Sequence, residues 1–178
     1  MTRRLLLLLL FCLAACREAT SGAPGAVAVR VAGVALDESA DSPVVILEEL
    51  DGARRLPIWI GLSEAHSIAA RLASETPPRP NSHDLAQRLI EGLEGRVERV
   101  VVTALRDGIY YARIDLVHDG RTLEVDARPS DAIAIALRLS APLFVEAALF
   151  DTSGRAERPS GREVRHPASE RQVGAWRL

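Results

Sequence analysis

Residues 54–72 and 121–139 repeat one another at an offset of 67. Arg54/Arg121, Leu56/Leu123, Ser63/Ser130, Ala65/Ala132, Ile68/Ile135, Ala69/Ala136, Arg71/Arg138 and Leu72/Leu139 are identities, and Ile58/Val125 and Glu64/Asp131 are conservative. Asp51-Gly52 also matches Asp119-Gly120 once one residue is dropped from the turn. A strand followed by an amphipathic helix cannot bury its apolar face alone, so two copies in one chain are expected to close on a common core.

The second copy carries the segment around which the chain is organised. Ala132, Ile135, Ala136 and Leu139 make one helical stripe, Ile133, Ala134 and Leu137 fill the other faces, and only Arg138 is clearly polar. A helix apolar all round must be covered on every side. Ser130 is expected to cap its first turn, Asp131 suits the positive end of the helix dipole, and Arg128 stands just outside. The copies are not equivalent. Where the second has Glu124, Asp126 and Arg128, the first has Pro57, Trp59 and Gly61, so the polar groups at the helix mouth belong mainly to the second.

Alternation predicts strands over 27–36, 43–50 and 54–60, then a helix over 63–73. Leu56, Ile58 and Ile60 share one face of the third strand; Trp59 takes the other and calls for a covering helix or a partner subunit. Thr76-Pro77-Pro78-Arg79-Pro80 is a stiff loop. It leads to a helix with Ser82 as cap, an apolar face of Leu85, Ala86, Leu89, Ile90 and Leu93, and Gly92 or Gly95 near its stop. Strands follow over 96–105, 109–117 and 121–127, with Asp-Gly pairs at 107–108 and 119–120 as hairpin turns. A short seventh strand is expected over 141–145. The expected fold is α+β: two strand-strand-strand-helix repeats forming a curved, largely antiparallel sheet, with a linking helix.

The segment 1–15 has two early arginines and a Leu-rich run too short to span a bilayer, and reads as a secretion signal. Its end, Leu13-Ala14-Ala15-Cys16, resembles the lipobox of bacterial lipoproteins. Cys16 is the expected lipidation site, which places the protein on the cell envelope, facing the periplasm, with the outer membrane as the default destination. Cleavage there removes Cys12 and consumes Cys16, leaving no thiol for catalysis. Residues 16–26 read as a tether, 27–150 as the folded domain, and 151–178, rich in Arg, Gly and Pro, as a mobile tail.

All 22 basic residues are arginine, which excludes Schiff-base chemistry and a phosphate-loop lysine. Within 27–150 there are 13 Arg against 19 Asp plus Glu, a balance of −6. Binding driven by a basic surface is therefore disfavoured. Glu64, Arg79, His83, Asp84, Asp126, Arg128 and Asp131 make the constellation richest in proton carriers, oxygen ligands and phosphate clamps. Each acid at a helix start also has a plain reading, since the dipole alone favours it by ~0.3 to 1 kcal/mol. No Gly-x-Ser-x-Gly, Gly-x-Gly-x-x-Gly, Cys-x-x-Cys or His-Glu-x-x-His motif is present.

Four runs resemble the signature blocks of the bifunctional nuclease family: Leu56-Pro57-Ile58-Trp59-Ile60-Gly61 with Glu64-Ala65; Arg79-Pro80-Asn81-Ser82-His83-Asp84-Leu85; Asp107-Gly108; and Asp126-Ala127-Arg128-Pro129-Ser130-Asp131-Ala132-Ile133-Ala134. Ser82 stands where that family usually has Thr, which keeps the hydroxyl. The resemblance covers residues 27–150. It implies cleavage of RNA and DNA and a domain that associates with itself as a homodimer or larger oligomer. His83, Asp84, Arg128 and Asp131 would be catalytic, and Arg79 and Ser130 would bind substrate. Asp84, Asp126 and Glu64 would hold Mg²⁺ or Mn²⁺. The rival reading is a non-catalytic envelope module binding a protein partner or small anion. Acids that each pair with an arginine would favour that module; convergent unpaired carboxylates would favour the enzyme.

Overall fold

The computed structural model describes residues 25–52 and 54–152. The signal segment with Cys16, most of the tether and nearly all of the tail lie outside the described residues. Seven strands and four helices follow in the order β1 (Ala26–Asp37), β2 (Ser42–Glu49), β3 (Arg55–Trp59), α1 (Leu62–Leu72), α2 (Ser82–Gly92), β4 (Arg96–Arg106), β5 (Ile109–His118), β6 (Arg121–Ala127), α3 (Pro129–Leu139), β7 (Leu143–Glu146) and α4 (Ala148–Thr152).

The strands form one sheet in the order β3-β2-β1-β7-β4-β5-β6. Each half is a three-strand antiparallel meander followed by a helix, so the two repeats share their connectivity. The seventh strand, two residues later than expected at its start, joins the halves. It runs antiparallel to β1 and parallel to β4, making the one parallel pairing of the sheet. Register shifts between Val31 and Gly33, Val97 and Arg99, and Val102 and Ala104 mark bulges, which bend and twist strands locally.

Turn chemistry sets two of the hairpins. Asp107-Gly108 and Asp119-Gly120 have φ of 51° and 77°, and 49° and 70°, the left-handed pair that a two-residue hairpin turn requires. Asp51-Gly52 does not form a two-residue turn like its counterpart Asp119-Gly120: Glu48 pairs with Arg55, and the loop closes through Gly52 N to Glu49 O and Glu49 N to Arg54 O. It is the longer turn of the two repeats.

The core lies between the sheet and helices α1 and α3. Val45, Leu47, Leu56, Ile58, Ala65 and Ile68 fill the first half, and Val100, Val102, Ala112, Ala132, Ile133 and Ala136 the second. α3 packs against α1, α2, β4 and β5 at once, which is why its sequence is apolar all round. On the opposite sheet face each half buries one acid among arginines. Glu48 lies between Arg30 and Arg55, and Asp115, 67 residues on, between Arg99 and Arg113. The repeat therefore extends into the charge pattern of the sheet.

Both serine caps are corrected. α2 is capped by Asn81, whose side chain accepts from the backbone N–H of His83 and Asp84 while Asp84 accepts from Asn81 N. α3 begins at Pro129 after Arg128, and no side chain caps it. Proline at the first position removes one donor that would need a partner, and buried Ser130 is left for another use. Trp59, expected to need a cover, is half-buried, and its indole N–H donates to Asp37 at 3.0 Å. The short helix α4 was not expected from sequence; it places buried Leu149 and Phe150 in the core.

Candidate functional site

The polar residues of α1, α2 and α3 form one chain of hydrogen bonds. At its buried end the Arg138 guanidinium donates to Asp84 Oδ1 at 2.7 Å, to the Ala134 carbonyl at 3.0 Å and to Ser67 Oγ at 2.9 Å. Asn81 Nδ2 also donates to Ser67 Oγ, at 3.1 Å. Ser67 Oγ lies 2.9 Å from His83 Nδ1, and His83 Nε2 lies 3.1 Å from Asp131 Oδ1. Asp131 accepts from Arg128 Nε at 2.7 Å and Nη2 at 3.0 Å, and Arg128 Nη2 reaches Glu64 Oε1 at 2.8 Å.

Counting donors fixes the direction of this chain. The Asn81 oxygen already accepts two backbone N–H groups, so its nitrogen faces Ser67. The two acceptor positions of the Ser67 hydroxyl are taken by Asn81 and Arg138, and its one proton goes to His83 Nδ1. His83 Nε2 therefore carries the ring proton and donates it to Asp131. Although Ser67, His83 and Asp131 are strung as serine, histidine and aspartate, Ser67 is 3% exposed with its lone pairs engaged, and cannot serve as a nucleophile. His83, 8% exposed with both nitrogens bonded inside the protein, orients Asp131.

The carboxylates respond to these bonds. Burial would raise Asp84, but the Asn81 N–H and the Arg138 guanidinium outweigh it and hold the carboxyl below its usual range. Burial acts the same way on Asp131 and is outweighed by the bonds from Arg128 and His83. Arg128 is pushed further above its already high value by Asp131 and Glu64. It is two-thirds exposed, a permanent cation clamped by two acids, and its Nη1 has no protein acceptor among the described residues. Beside it opens a cavity of about 290 Å³ lined by Trp59, Gly61, Tyr110, Pro129 and Ser130. The Tyr110 phenol is raised by burial, and its hydroxyl has no hydrogen-bond partner among the described residues.

Of the residues expected from sequence, His83, Asp84, Arg128, Asp131 and Glu64 belong to this one network, and Ser130 lines the cavity at its exposed end. Arg79 is exposed on the proline loop. Asp126 stands on edge strand β6, register-paired with Arg113. Glu64, Asp84 and Asp126, the expected metal ligands, are not gathered at one point. Glu64 faces Arg128, Asp84 faces Arg138, and among the described residues no group of three or more His, Cys, Asp or Glu is placed to hold an ion. The donors as arranged do not fit a divalent ion. Ser67, Asn81 and Arg138 were not picked out as site residues; an arginine on a helix with no polar face was the available signal, because such a charge must find partners inside.

Comparison with known proteins places the chain in a family. A family model described as the bifunctional nuclease domain matches residues 45–158. The chain belongs to the bifunctional nuclease domain family. An uncharacterized protein of Mycobacterium tuberculosis is 44% identical over 126 residues, covering 71% of this chain and 75% of the relative. Bifunctional nuclease 1 of Oryza sativa subsp. japonica is 29% identical over 123 residues, 67% of this chain but 37% of the plant protein. Bifunctional nuclease 1 of Arabidopsis thaliana is 29% identical over 140 residues, 76% of this chain and 43% of the relative. The chain thus spans less than half the length of these plant bifunctional nucleases. The match to the bifunctional nuclease domain begins within β2, and β1, which precedes it, is an integral strand of the sheet.

Proposed function

We propose that this bifunctional nuclease domain cleaves phosphodiester bonds of RNA and DNA at the mouth of α3, while anchored in the cell envelope through Cys16 and facing the periplasm. The observation that carries the reading is Arg128, a clamped and exposed guanidinium with one free edge beside a cavity, in a chain of nuclease lineage. A substrate phosphate bonding Nη1 competes with Asp131 and Glu64 for the same cation. The carboxylate oxygen so released takes the proton of an attacking water as the new P–O bond forms. The ester P–O bond breaks, and the departing oxygen takes a proton from solvent. His83 holds the other oxygen of Asp131 throughout, so it acts as a positioning residue. Ser130 offers its hydroxyl to the part of the substrate that enters the cavity, which the Tyr110 side chain helps to line. The acidic surface implies weak binding that falls further with salt.

The test is an assay of the full-length chain, purified in detergent, on RNA and on single- and double-stranded DNA. Arg128→Gln is expected to lower the rate by about 100-fold or more, the usual scale for losing an oriented charge-stabilising donor. His83→Ala, Asp84→Asn and Asp131→Asn run beside it with and without chelator, which tests the dependence on Mg²⁺ or Mn²⁺ expected from sequence. Equal cleavage by wild type and folded variants would make the activity a contaminant.

The second reading, a non-catalytic envelope module that binds an anion or a protein partner, is favoured by one specific observation: Glu64, Asp84 and Asp131 are all paired with arginine. Binding of oligonucleotide with no turnover would select it. Anchoring is tested separately, because Cys16→Ser should release the protein from the membrane fraction.

For association, Trp59 is a poor anchor now that Asp37 satisfies it. Copies are proposed to meet through the second half, where Leu123 and Val125 of edge strand β6 are 50% and 41% exposed and Leu85, Leu89 and Leu93 at α2 are all more than half exposed. Gly95, where a Cβ would press on both Ile90 and Leu116, brings the end of α2 over the face that Leu123 shares.

A further inference from the structure

A second cleft, of about 340 Å³, opens between the C-terminal half of α1, the proline loop 76–80 and the first two turns of α2. Neither Glu64, Arg128 nor Asp131 lines it. Its floor is the Asp84–Arg138 pair, whose charges cancel, and its walls carry His66, Arg71 and Arg88. Arg71 spends only Nε, on the Leu137 carbonyl at 3.2 Å, and no acid lies within ion-pair distance of Arg71 or Arg88 among the described residues. Glu75 is the one other acid at the rim. In a domain whose balance is −6, this cleft is locally cationic. Pro77, Pro78 and Ala70 add an apolar part to the lining, stiff at the two prolines.

We infer that this cleft binds a small organic phosphate, with the phosphate on the free edges of Arg71 and Arg88 and a flat ring against Pro77 and Pro78. Two guanidinium forks suit phosphate oxygens, since each offers paired donors in a plane. The volume falls within the range of small-molecule sites, which combine apolar walls with a few placed polar groups. His66, on the same helix face as Ala70, adds an imidazole donor to the rim. The inference stands on residues outside the proposed cleavage site and does not require that site to be active.

The probe is adenosine 5′-monophosphate, titrated calorimetrically into the full-length chain in detergent, beside adenosine and inorganic phosphate. The monophosphate should bind at least about tenfold more tightly than either fragment, the two halves of the site acting together. Arg88→Gln and Arg71→Gln should each weaken it by roughly tenfold, the scale of a lost charged hydrogen bond. Arg128→Gln should leave it within about twofold, far below that scale. In unmodified protein the His66 imidazole resonances should shift on titration, a readout independent of any variant. Inorganic phosphate binding as well as the nucleotide would overturn the ring wall. Loss of binding in Arg128→Gln, with Arg71→Gln and Arg88→Gln unaffected, would move the ligand to the mouth of α3 and overturn the second site. No binding of any probe would overturn it outright, whatever the cleavage assay gives.

Discussion

The mouths of the two repeated helices occupy equivalent places in the fold but carry unequal chemistry. At the first, Gly61 precedes α1; at the second, 67 residues on, Arg128 precedes α3. The acids one turn in, Glu64 and Asp131, are counterparts, and both bond to Arg128. A Cβ at Gly61 would lie 2.3 Å from Glu64 Oε2, so a side chain there would make the Glu64 carboxylate shift. One copy has no side chain at this position, and its acid bonds to the other copy's arginine. A site made from both halves requires that asymmetry, since two arginines facing two acids would compete for the same space.

The outer edges of the sheet diverge in the same way. Leu56 and Ile58 on β3 are 0% and 2% exposed, whereas their counterparts Leu123 and Val125 on β6 stand open. In the first half α4 packs on β3 and supplies the cover. Among the described residues nothing equivalent covers β6. The duplication thus leaves the apolar face of β3 covered and that of β6 exposed.

The largest effect should come from the repeat-equivalent pair Arg71 and Arg138, identical in sequence and opposite in environment. Arg138 is 7% exposed and bonded to Asp84, Ser67 and Ala134, whereas Arg71 is exposed and makes one bond to a carbonyl. Arg138→Met should cost about 3 kcal/mol or more, because it strands Asp84 and empties an acceptor position on Ser67. Arg71→Met should change stability by less than about 0.5 kcal/mol, as at most surface sites. Urea unfolding followed by circular dichroism measures both. Similar values for the two would mean that the network does not hold the helices together.

Leu56→Ala and Leu123→Ala sharpen the comparison of edges. The first removes a fully buried side chain and should cost about 2 to 5 kcal/mol; the second should cost less than about 1 kcal/mol in the monomer. Leu123→Glu should leave monomer stability nearly unchanged and lower the association state seen by light scattering. A wild-type monomer at tens of micromolar, the working estimate for a specific interface of this kind, would remove the argument for self-association.

Much of the fold was legible because periodicity and turn chemistry agreed. Asp107-Gly108 and Asp119-Gly120 name their turns, and the all-round apolar pattern of 132–139 demanded the three-sided packing that α3 has. What was not legible depended on contacts distant in sequence. Asn81 rather than Ser82 caps α2 because Asn81 also binds Ser67, 14 residues earlier. Ser130 fails as a cap because Pro129 already starts the helix. The site was legible as a list of residues and not as an arrangement. Sequence placed Glu64, His83, Asp84 and Asp131 together, but that every carboxylate among them is held by an arginine, and that Asp126 stands apart on an edge, depended on which strand each helix crosses.

The mouths can also be compared through their serines. Ser63, at the start of α1, is exposed, whereas Ser130 is buried beside the cavity and Arg128. Ser130→Ala should slow cleavage by roughly tenfold if the hydroxyl bonds the substrate, about the worth of one hydrogen bond to a charged group. Ser63→Ala should leave the rate unchanged within error. Equal effects would assign Ser130 to packing.

The smallest effect lies in acid, and it distinguishes charge from shape at the two ends of the network. The Asp84 and Asp131 carboxyls are held below their usual values in the folded protein. A depressed folded value means that the carboxylate stabilises the fold above the unfolded value of about 3.9 and that this contribution is lost as pH falls through the folded value. Between neutral pH and about pH 5 the contribution should therefore be flat, and below about pH 4 it should decline. Arg138→Met removes one of the groups that depresses Asp84, so its deficit relative to wild type should shrink as the pH is lowered from 6 to 3. Arg128→Gln should show the same convergence through Asp131, but more weakly, because Arg128 is exposed and solvent screens its pairing. Unfolding midpoints measured at both pH values for the three proteins decide the matter. A deficit in Arg138→Met that stays constant into acid would show that the arginine acts by filling space and bonding Ser67 and Ala134, with its charge on Asp84 contributing little.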